Sequence, residues 1–384
     1  MPAVLVLAVF GVALMGQFTL GRLGIEQFGE LDLRLVAFPA LVAAVALWRF
    51  QPGHRDYRHA WPPTSLWAIA MVAYLALTAF WAPYEARISE NLTDLVFVGL
   101  LIVVATVVSA PDPARARRVT LAAMYVAAVV YALAGVLIGE TDAQGRPTAF
   151  AGGPNVYTRV ILLGVIAAIA LTALYGRRLF LVAIPLLAST ALLPASRGAI
   201  VAALATVIVF GALTWGRWSL RGIGLAVLVT AGTLIVTWNL LPSAAVDVVR
   251  YRFVDQVFER NELSGRPELI SQALTIFVGD PLIGAGLDSY FVRFGLGIGL
   301  EYPHNLVLDL AATGGVAALA IFAMFVVALI RDSRPLRGMT ADQLAMLLSA
   351  CYLGAASMFS GEFYDSRFFW IFAVLAVNYS AVRC

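Results

Sequence analysis

The sequence predicts an all-α polytopic membrane protein of about twelve transmembrane helices, with one long helical loop between spans nine and ten. Three observations carry that expectation. The 384 residues are 61% hydrophobic and only 13% charged, whereas a soluble domain of this size carries about 25% charged residues. Apolar runs of about 18–25 residues recur along the chain, each long enough to cross ~30 Å of hydrocarbon as helix. The runs are continuous rather than alternating, which excludes a closed barrel and leaves helices to satisfy the backbone. Finally, the short loops between the runs segregate charge by side, as the positive-inside rule requires.

In chain order the expected spans fall near 2–20, 33–50, 65–82, 93–110, 118–139, 156–175, 179–195, 198–215, 222–241, 305–330, 342–360 and 366–383. The first lacks a basic leading region and an A-x-A cleavage site, so it reads as an uncleaved span. The seventh and eighth are separated only by Pro194, Ala195, Ser196, Arg197 and Gly198. Trp48, Trp61, Trp81, Trp215, Trp218, Trp238 and Tyr302 sit near span ends, where an interfacial belt places them. The whole chain, 1–384, reads as a single integral membrane domain, with residues 242–303 forming the long loop and its surface helices.

All 26 basic residues are arginine. Arg49, Arg55, Arg58, Arg115, Arg117, Arg118, Arg177, Arg178, Arg217, Arg221, Arg331, Arg334 and Arg337 fall in alternate loops. Only Asp56, Asp112, Asp332 and Asp342 accompany them, so these loops and both termini are assigned to the cytoplasm. The net charge of +3 is therefore an orientation signal and implies no nucleic-acid partner. Cys351 within a span and Cys384 at the terminus cannot pair, and no metal-ligand spacing occurs.

The opposite, outer face carries the polar chemistry. In the long loop, residues 244–258 place Val246, Val249, Phe253 and Val257 at helical spacing, with Arg250 on another face. A second apolar-periodic run has Leu269, Ala273, Ile276 and Phe277, with Ser264 or Gly265 as cap and Pro267 suited to the first helical position. Arg266 then sits at a helix N-terminus, where unpaired N–H groups and the helix dipole favour an anion and a guanidinium fork matches phosphate oxygens. The alternative is an ion pair with Glu262 or Glu268. Gly284 and Gly286 punctuate a turn that is weak evidence for phosphate binding. His304 and Asn305 open the tenth span, His304 either as a working imidazole or as an interfacial residue. Arg197, at the mouth of a span, must snorkel, pair or face water. The fifth outer loop adds Arg146 and, ahead of the sixth span, Asn155. The last outer loop, Gly361 to Arg367, has sugar-binding side chains but reads best as a solvated connection.

Taken in order, Arg146, Phe150, Pro154-Asn155, Ser196-Arg197-Gly198, Gly265-Arg266-Pro267, Pro281 to Gly284 and Gly286, and His304-Asn305 followed by Gly314-Gly315 form a pattern. It resembles the O-antigen ligase/polymerase superfamily of bacterial cell-envelope glycosyltransferases, over roughly residues 140–330. Ala151-Gly152-Gly153 departs from that family's tighter form. The resemblance implies a bacterial inner-membrane enzyme with a periplasmic site that moves a glycan from undecaprenyl diphosphate to an acceptor hydroxyl. The acceptor is then lipid A–core for a ligase or a second lipid-linked glycan for a polymerase, and the single long loop before the His-Asn span is closer to the ligase. It assigns Arg197, Arg266 and His304 to catalysis and Arg146, Asn155, Asn305 and Arg250 to substrate binding. Pyrophosphate charge would be neutralised by arginines, with neither cofactor nor metal, and neutral imidazole would take the acceptor proton. A twelve-span secondary transporter is the reading from another class, but the span centres carry almost no charge and the halves show no echo.

Overall fold

The computed structural model describes residues 2–16, 31–51, 61–139, 141–142, 145–150, 152–213, 266–296, 302–333 and 338–379, with isolated positions at 19 and between 232 and 251. The helices are α1 (Pro2–Met15), α2 (Arg34–Arg49), α3 (Pro63–Leu77), α4 (Ile88–Ser109), α5 (Pro113–Leu137), α6 (Gly153–Tyr175), α7 (Ile184–Leu192) and α8 (Arg197–Leu213). They continue with α9 (Arg266–Gly279), α10 (Leu306–Ser333), α11 (Ala341–Ser357) and α12 (Arg367–Ala376). Among the described residues there is no strand, only the isolated bridges Thr19–Asp32 and Thr141–Pro147.

Among the described residues, five helices are long and apolar enough to cross a membrane: α3 with its 3-10 extension to Trp81, α4, α5, α6 and α10. The segments Ala3–Met15, Arg178–Leu192, Arg197–Gly211 and Arg367–Ala376 are apolar but shorter. Every expected span except 222–241 overlaps a described helix, but only those five helices have the length of a span, and the helix in 366–383 runs only from Arg367 to Ala376. The 222–241 span and the surface helix at 244–258 lie outside the described residues, apart from isolated helical positions such as Ile235 and Arg250. The seventh span is divided, because Arg178–Ala183 is 3-10 and α7 begins only at Ile184. Pro185 in its first turn explains the restart: it lacks the N–H that would continue the preceding helix. Helix α6 shows both standard end signals, Pro154 in its first turn and Gly176 at φ 66° closing it.

The helices form two compact units. The first comprises Met1–Thr120, Gly265–Pro335 and Ser357–Cys384. In it α3 packs on α10, α10 on α9, and α4 on α1, α3 and α12. At one end of these helices the backbone N–H and hydroxyl of Thr64 donate to Asp332 at 2.9 and 2.7 Å, and Ser109 and Tyr379 share a hydrogen bond at 3.0 Å. At the other end Arg34 bridges Asp32 and Asp94, Arg87 pairs with Asp288 at 3.0 Å, and Arg367 donates to the Ala13 carbonyl at 2.7 Å. These pairings join helix ends that share a side in the loop-charge pattern. The second unit comprises Leu121–Ser264 and Leu336–Ala356, and in it α6 packs on α7 and α8.

The tenth span is not one continuous helix. Gly315 interrupts α10 at φ 62°, ψ −157°, and the turn after α9 fills the break. The N–H groups of Ala285 and Gly286 donate to the carbonyls of Ala312 and Thr313 at 2.9 and 3.1 Å. In return Val316 and Ala317 donate to Pro281 and Leu282 at 2.8 and 3.1 Å. The interruption thus leaves these backbone groups bonded, as an apolar surrounding demands. It also settles the role of the glycines: their turn is a splice, with its amides already occupied. Gly286 stands at φ 92°, and a Cβ there would lie 2.7 Å from Ala82 Cα and the Trp81 carbonyl. Gly286→Ala should therefore lower stability by at least roughly 1–3 kcal/mol from overpacking, read as a lower melting temperature in detergent. An unchanged melting temperature would contradict this close packing.

Candidate functional site

In the first unit, α9 starts with Arg266 and has Pro267 in its first turn. Its inner face, Ala273 and Ile276, is buried against Ala285, Tyr290 and Ala312, with Leu269 packed beside them. That packing fixes the helix and so places Arg266 at its head. The Arg266 guanidinium donates to the Phe359 carbonyl at 3.4 Å and lies 5.3 Å from the Phe359 ring centre.

His304 has a left-handed backbone, φ 53°, immediately before the turn into α10. Asn305 caps that helix: its Oδ1 accepts from the N–H groups of Val307 and Leu308 at 3.0 and 3.1 Å. Its Nδ2 donates to the Met358 carbonyl at 3.1 Å. The His304 ring meets the edge of Tyr302 at 4.6 Å between centres, and the Tyr302 hydroxyl donates to Asp365 at 3.1 Å. Arg266, Tyr302 and Asn305 thus all grip the connection between α11 and α12, and His304 stands among them. Burial holds the His304 imidazole below its ordinary pKa; Asp365 opposes that shift, and the charge of Arg266 adds to it. The site therefore contains a cation beside an imidazole whose neutral form its surroundings favour.

The second unit holds the other expected residues. Asn155 lies in the first turn of α6, and its Oδ1 accepts from the Ser196 hydroxyl at 2.7 Å. Arg197, the next residue, starts α8, so Asn155 and Arg197 belong to one linked pair of helix starts. Arg146 is committed to Asp142, which accepts from its backbone N–H at 2.9 Å and from its guanidinium at 2.7 and 2.6 Å. Arg250 is helical and exposed, and most of its neighbours in sequence lie outside the described residues.

Backbone strain marks the same places. Among the described residues, the non-glycine positions with positive φ are Phe150, Ala195, Asp288 and His304. Each precedes a helical start: α6, α8, the turn at Ser289 and α10. Conformations of this kind cost of order 1–3 kcal/mol and collect at functional sites.

The sequence reading missed several groups. The connection Gly361 to Arg367 is not a solvated loop: Gly361, Phe363, Tyr364, Ser366 and Arg367 are buried. The reason is cationic. Arg34 and Arg367 lie 4.8 and 5.0 Å from the Tyr364 ring centre and hold it inward. Charges within the spans were also overlooked. Arg159 in α6 is 8% exposed and donates to the Ala356 carbonyl at 3.1 Å, and Asp94 and Asp309 line a cavity in the first unit. The available signal was a lone charge within a few turns of a span's outer end, which is costly unless paired or facing water. Among the described residues, no group of three or more His, Cys, Asp or Glu is placed to hold a metal ion.

Among the described residues, several helices long and apolar enough to cross a bilayer are those of a polytopic membrane protein, and arginines or an imidazole stand at helix starts in each unit. Residues 182–323 match the family model described as O-Antigen ligase, a likeness that supports the resemblance to the O-antigen ligase/polymerase superfamily over that segment. No curated protein matches the chain. Arg197, Arg266, His304 and Asn305 all fall within the matched segment; Arg146 and Asn155 precede it.

Proposed function

We propose that the protein transfers a glycan from an undecaprenyl-diphosphate carrier to an acceptor hydroxyl, at the periplasmic face of the bacterial inner membrane, as an O-antigen ligase. The observation that carries this reading is the placement, in the first unit, of Arg266 near a half-buried His304 whose pKa its charge helps to lower. In the transfer, the bond between the sugar's anomeric carbon and the pyrophosphate oxygen breaks, and its electron pair leaves with the pyrophosphate. The acceptor oxygen bonds to that carbon while His304 takes its proton. Arg266 meets the charge that grows on the leaving group, where fixed donors lower the barrier most. Neutral imidazole is the form that accepts a proton.

Helix α9 supports a lipid-linked donor. Ile270, Leu274 and Val278 follow Arg266 at intervals of four residues and are exposed. Positions four apart are neighbours on a helix surface, so an apolar row leads away from the cation. An isoprenoid chain with its diphosphate at Arg266 matches that sequence of surfaces, with the donor entering sideways from the bilayer.

Because arginines supply the neutralising charge, transfer by the purified protein should proceed at full rate in excess chelator. Activity lost in chelator and restored by Mg²⁺ or Mn²⁺ would contradict the arginine-only mechanism. A polymerase would use the same donor chemistry with a lipid-linked glycan as acceptor. The lipopolysaccharide of a deletion strain separates them. Loss of a ligase leaves finished polymer on the carrier lipid, whereas loss of a polymerase leaves core capped with a single repeat.

A further inference from the structure

We infer that a cavity in the first unit, beside His304, seats the acceptor as a neutral sugar; this rests on the glycosyl-transfer reading and extends it to the second substrate. The cavity is lined by Asp94, Asp288, Asp309 and Glu362 together with Tyr302 and Tyr364. Tyr302 belongs to both places, since its ring also meets the His304 ring. Such a lining repels a diphosphate, so the donor headgroup stays with the arginines. It suits a polyol: carboxylates accept from hydroxyls, and aromatic faces cover the apolar side of a sugar ring.

The carboxylates of Asp94, Asp288 and Asp309 are held in place from behind. Asp94 is paired with Arg34. Asp288 accepts from the Arg87 backbone N–H at 2.8 Å and from its guanidinium at 3.1 and 3.0 Å, and its side chain is only 3% exposed. Asp309 accepts from the Phe363 backbone N–H. Glu362 lies in a turn closed by the Ser366 hydroxyl, which donates to the Glu362 carbonyl at 2.8 Å. A carboxylate has about four acceptor sites, so the three bonds to Asp288 do not fill it. Charged acceptors fixed before binding lose little freedom when a ligand arrives. The pairing of Asp94 and Asp288 with separate arginines also distinguishes this lining from a cation site.

Asp309 ties the cavity to the reacting group. Its N–H donates to the Asn305 carbonyl at 2.9 Å, so it sits in the first turn of the helix that His304 precedes. A sugar held by Asp309 and Tyr302 therefore lies alongside the imidazole that would take its proton.

The test is saturation-transfer NMR on the full chain in nanodiscs, with lactose, maltose and cellobiose as probes. The expected result is transfer to sugar protons that inorganic pyrophosphate does not abolish. Asp309→Asn and Glu362→Gln, which keep side-chain shape, should each weaken apparent affinity at least about tenfold, the scale of one hydrogen bond to a charged group. Two variants at separate backbone positions guard against a folding defect in either. No signal from any of the three sugars with the wild-type chain would overturn the inference. So would affinity unchanged in both variants, or displacement of the sugars by pyrophosphate. Sugar binding without glycan transfer by the purified protein would sink the glycosyltransferase reading and leave the cavity standing; transfer without sugar binding would do the reverse.

Discussion

Arg266→Ala is expected to abolish glycan transfer while the protein still inserts and folds. The helix that carries Arg266 is held by Ala273 and Ile276, which are 1% and 0% exposed, so truncating its first side chain removes no core. What is lost is a charge-assisted donor aimed at a leaving group whose negative charge grows in the transition state. Removing one such donor costs about 3 kcal/mol or more, roughly 10²-fold in rate. Arg266→Lys should recover only part of that, because an ammonium keeps the charge but not the planar fork. The same substitution has a second readout. The positive charge of Arg266 helps hold the His304 pKa down, so the residual activity of Arg266→Ala should lose its acid limb at higher pH than the wild type. Normal activity at matched expression would leave Arg266 as an anchor for the Phe359 carbonyl and nothing more.

His304→Asn should also eliminate transfer, by ~10²–10⁴-fold if general-base assistance is lost, yet it should retain affinity for the lipid-linked donor. Asparagine is the informative replacement, since His304 stands at φ 53°, a region Asn tolerates better than Ala. A neutral imidazole adds little to binding a diphosphate, whereas each guanidinium contributes directly. Arg197→Ala and Arg266→Ala should therefore weaken donor binding where His304→Asn does not. The pH profile follows from the direction of the shift. A base works when deprotonated, so the rate falls as pH drops through the folded-state pKa. Burial and Arg266 depress that pKa, so the fall should come below ~6.5, the value of an unperturbed imidazole. Asp365 opposes the depression, and Asp365→Asn should move the limb lower still. A rate that holds or rises on acidification would make the imidazolium the working form. A His304→Asn variant that binds donor as poorly as Arg266→Ala would make His304 a phosphate ligand.

The helices were legible because continuous hydropathy and end signals such as Pro154 and Gly176 are local properties of the chain. The helix at Arg266 was legible for the same reason: Pro267 and the spacing of Ala273 and Ile276 announce it. What could not be read depends on distant partners. The break at Gly315 is stable only because Pro281 to Gly286, some thirty residues earlier, supplies its hydrogen bonds. That arrangement also bears on the transporter alternative, whose broken helices offer freed backbone groups to an ion; here the chain's own turn has taken them. The connection after α11 looked polar because its burial comes from Arg34 and Arg367 closing over Tyr364, a contact no local pattern reveals. Arg146 was grouped with the site by its place in a motif, and the structure gives its guanidinium to Asp142 four residues away. Asn305 was read as a substrate contact, and in the structure its amide caps α10 and donates to the Met358 carbonyl.

The most direct measurement is a reconstitution with no other enzyme present. Purified protein in liposomes receives an undecaprenyl-diphosphate-linked glycan, a lipid A–core acceptor and excess chelator, and both lipid products are followed by mass spectrometry. The expected result is glycan covalently joined to the acceptor, with one undecaprenyl diphosphate released per transfer, and neither product with Arg266→Ala. A donor that stays intact beside competent acceptors, whether lipid A–core or a second lipid-linked glycan, would contradict glycosyl transfer as the function of this protein.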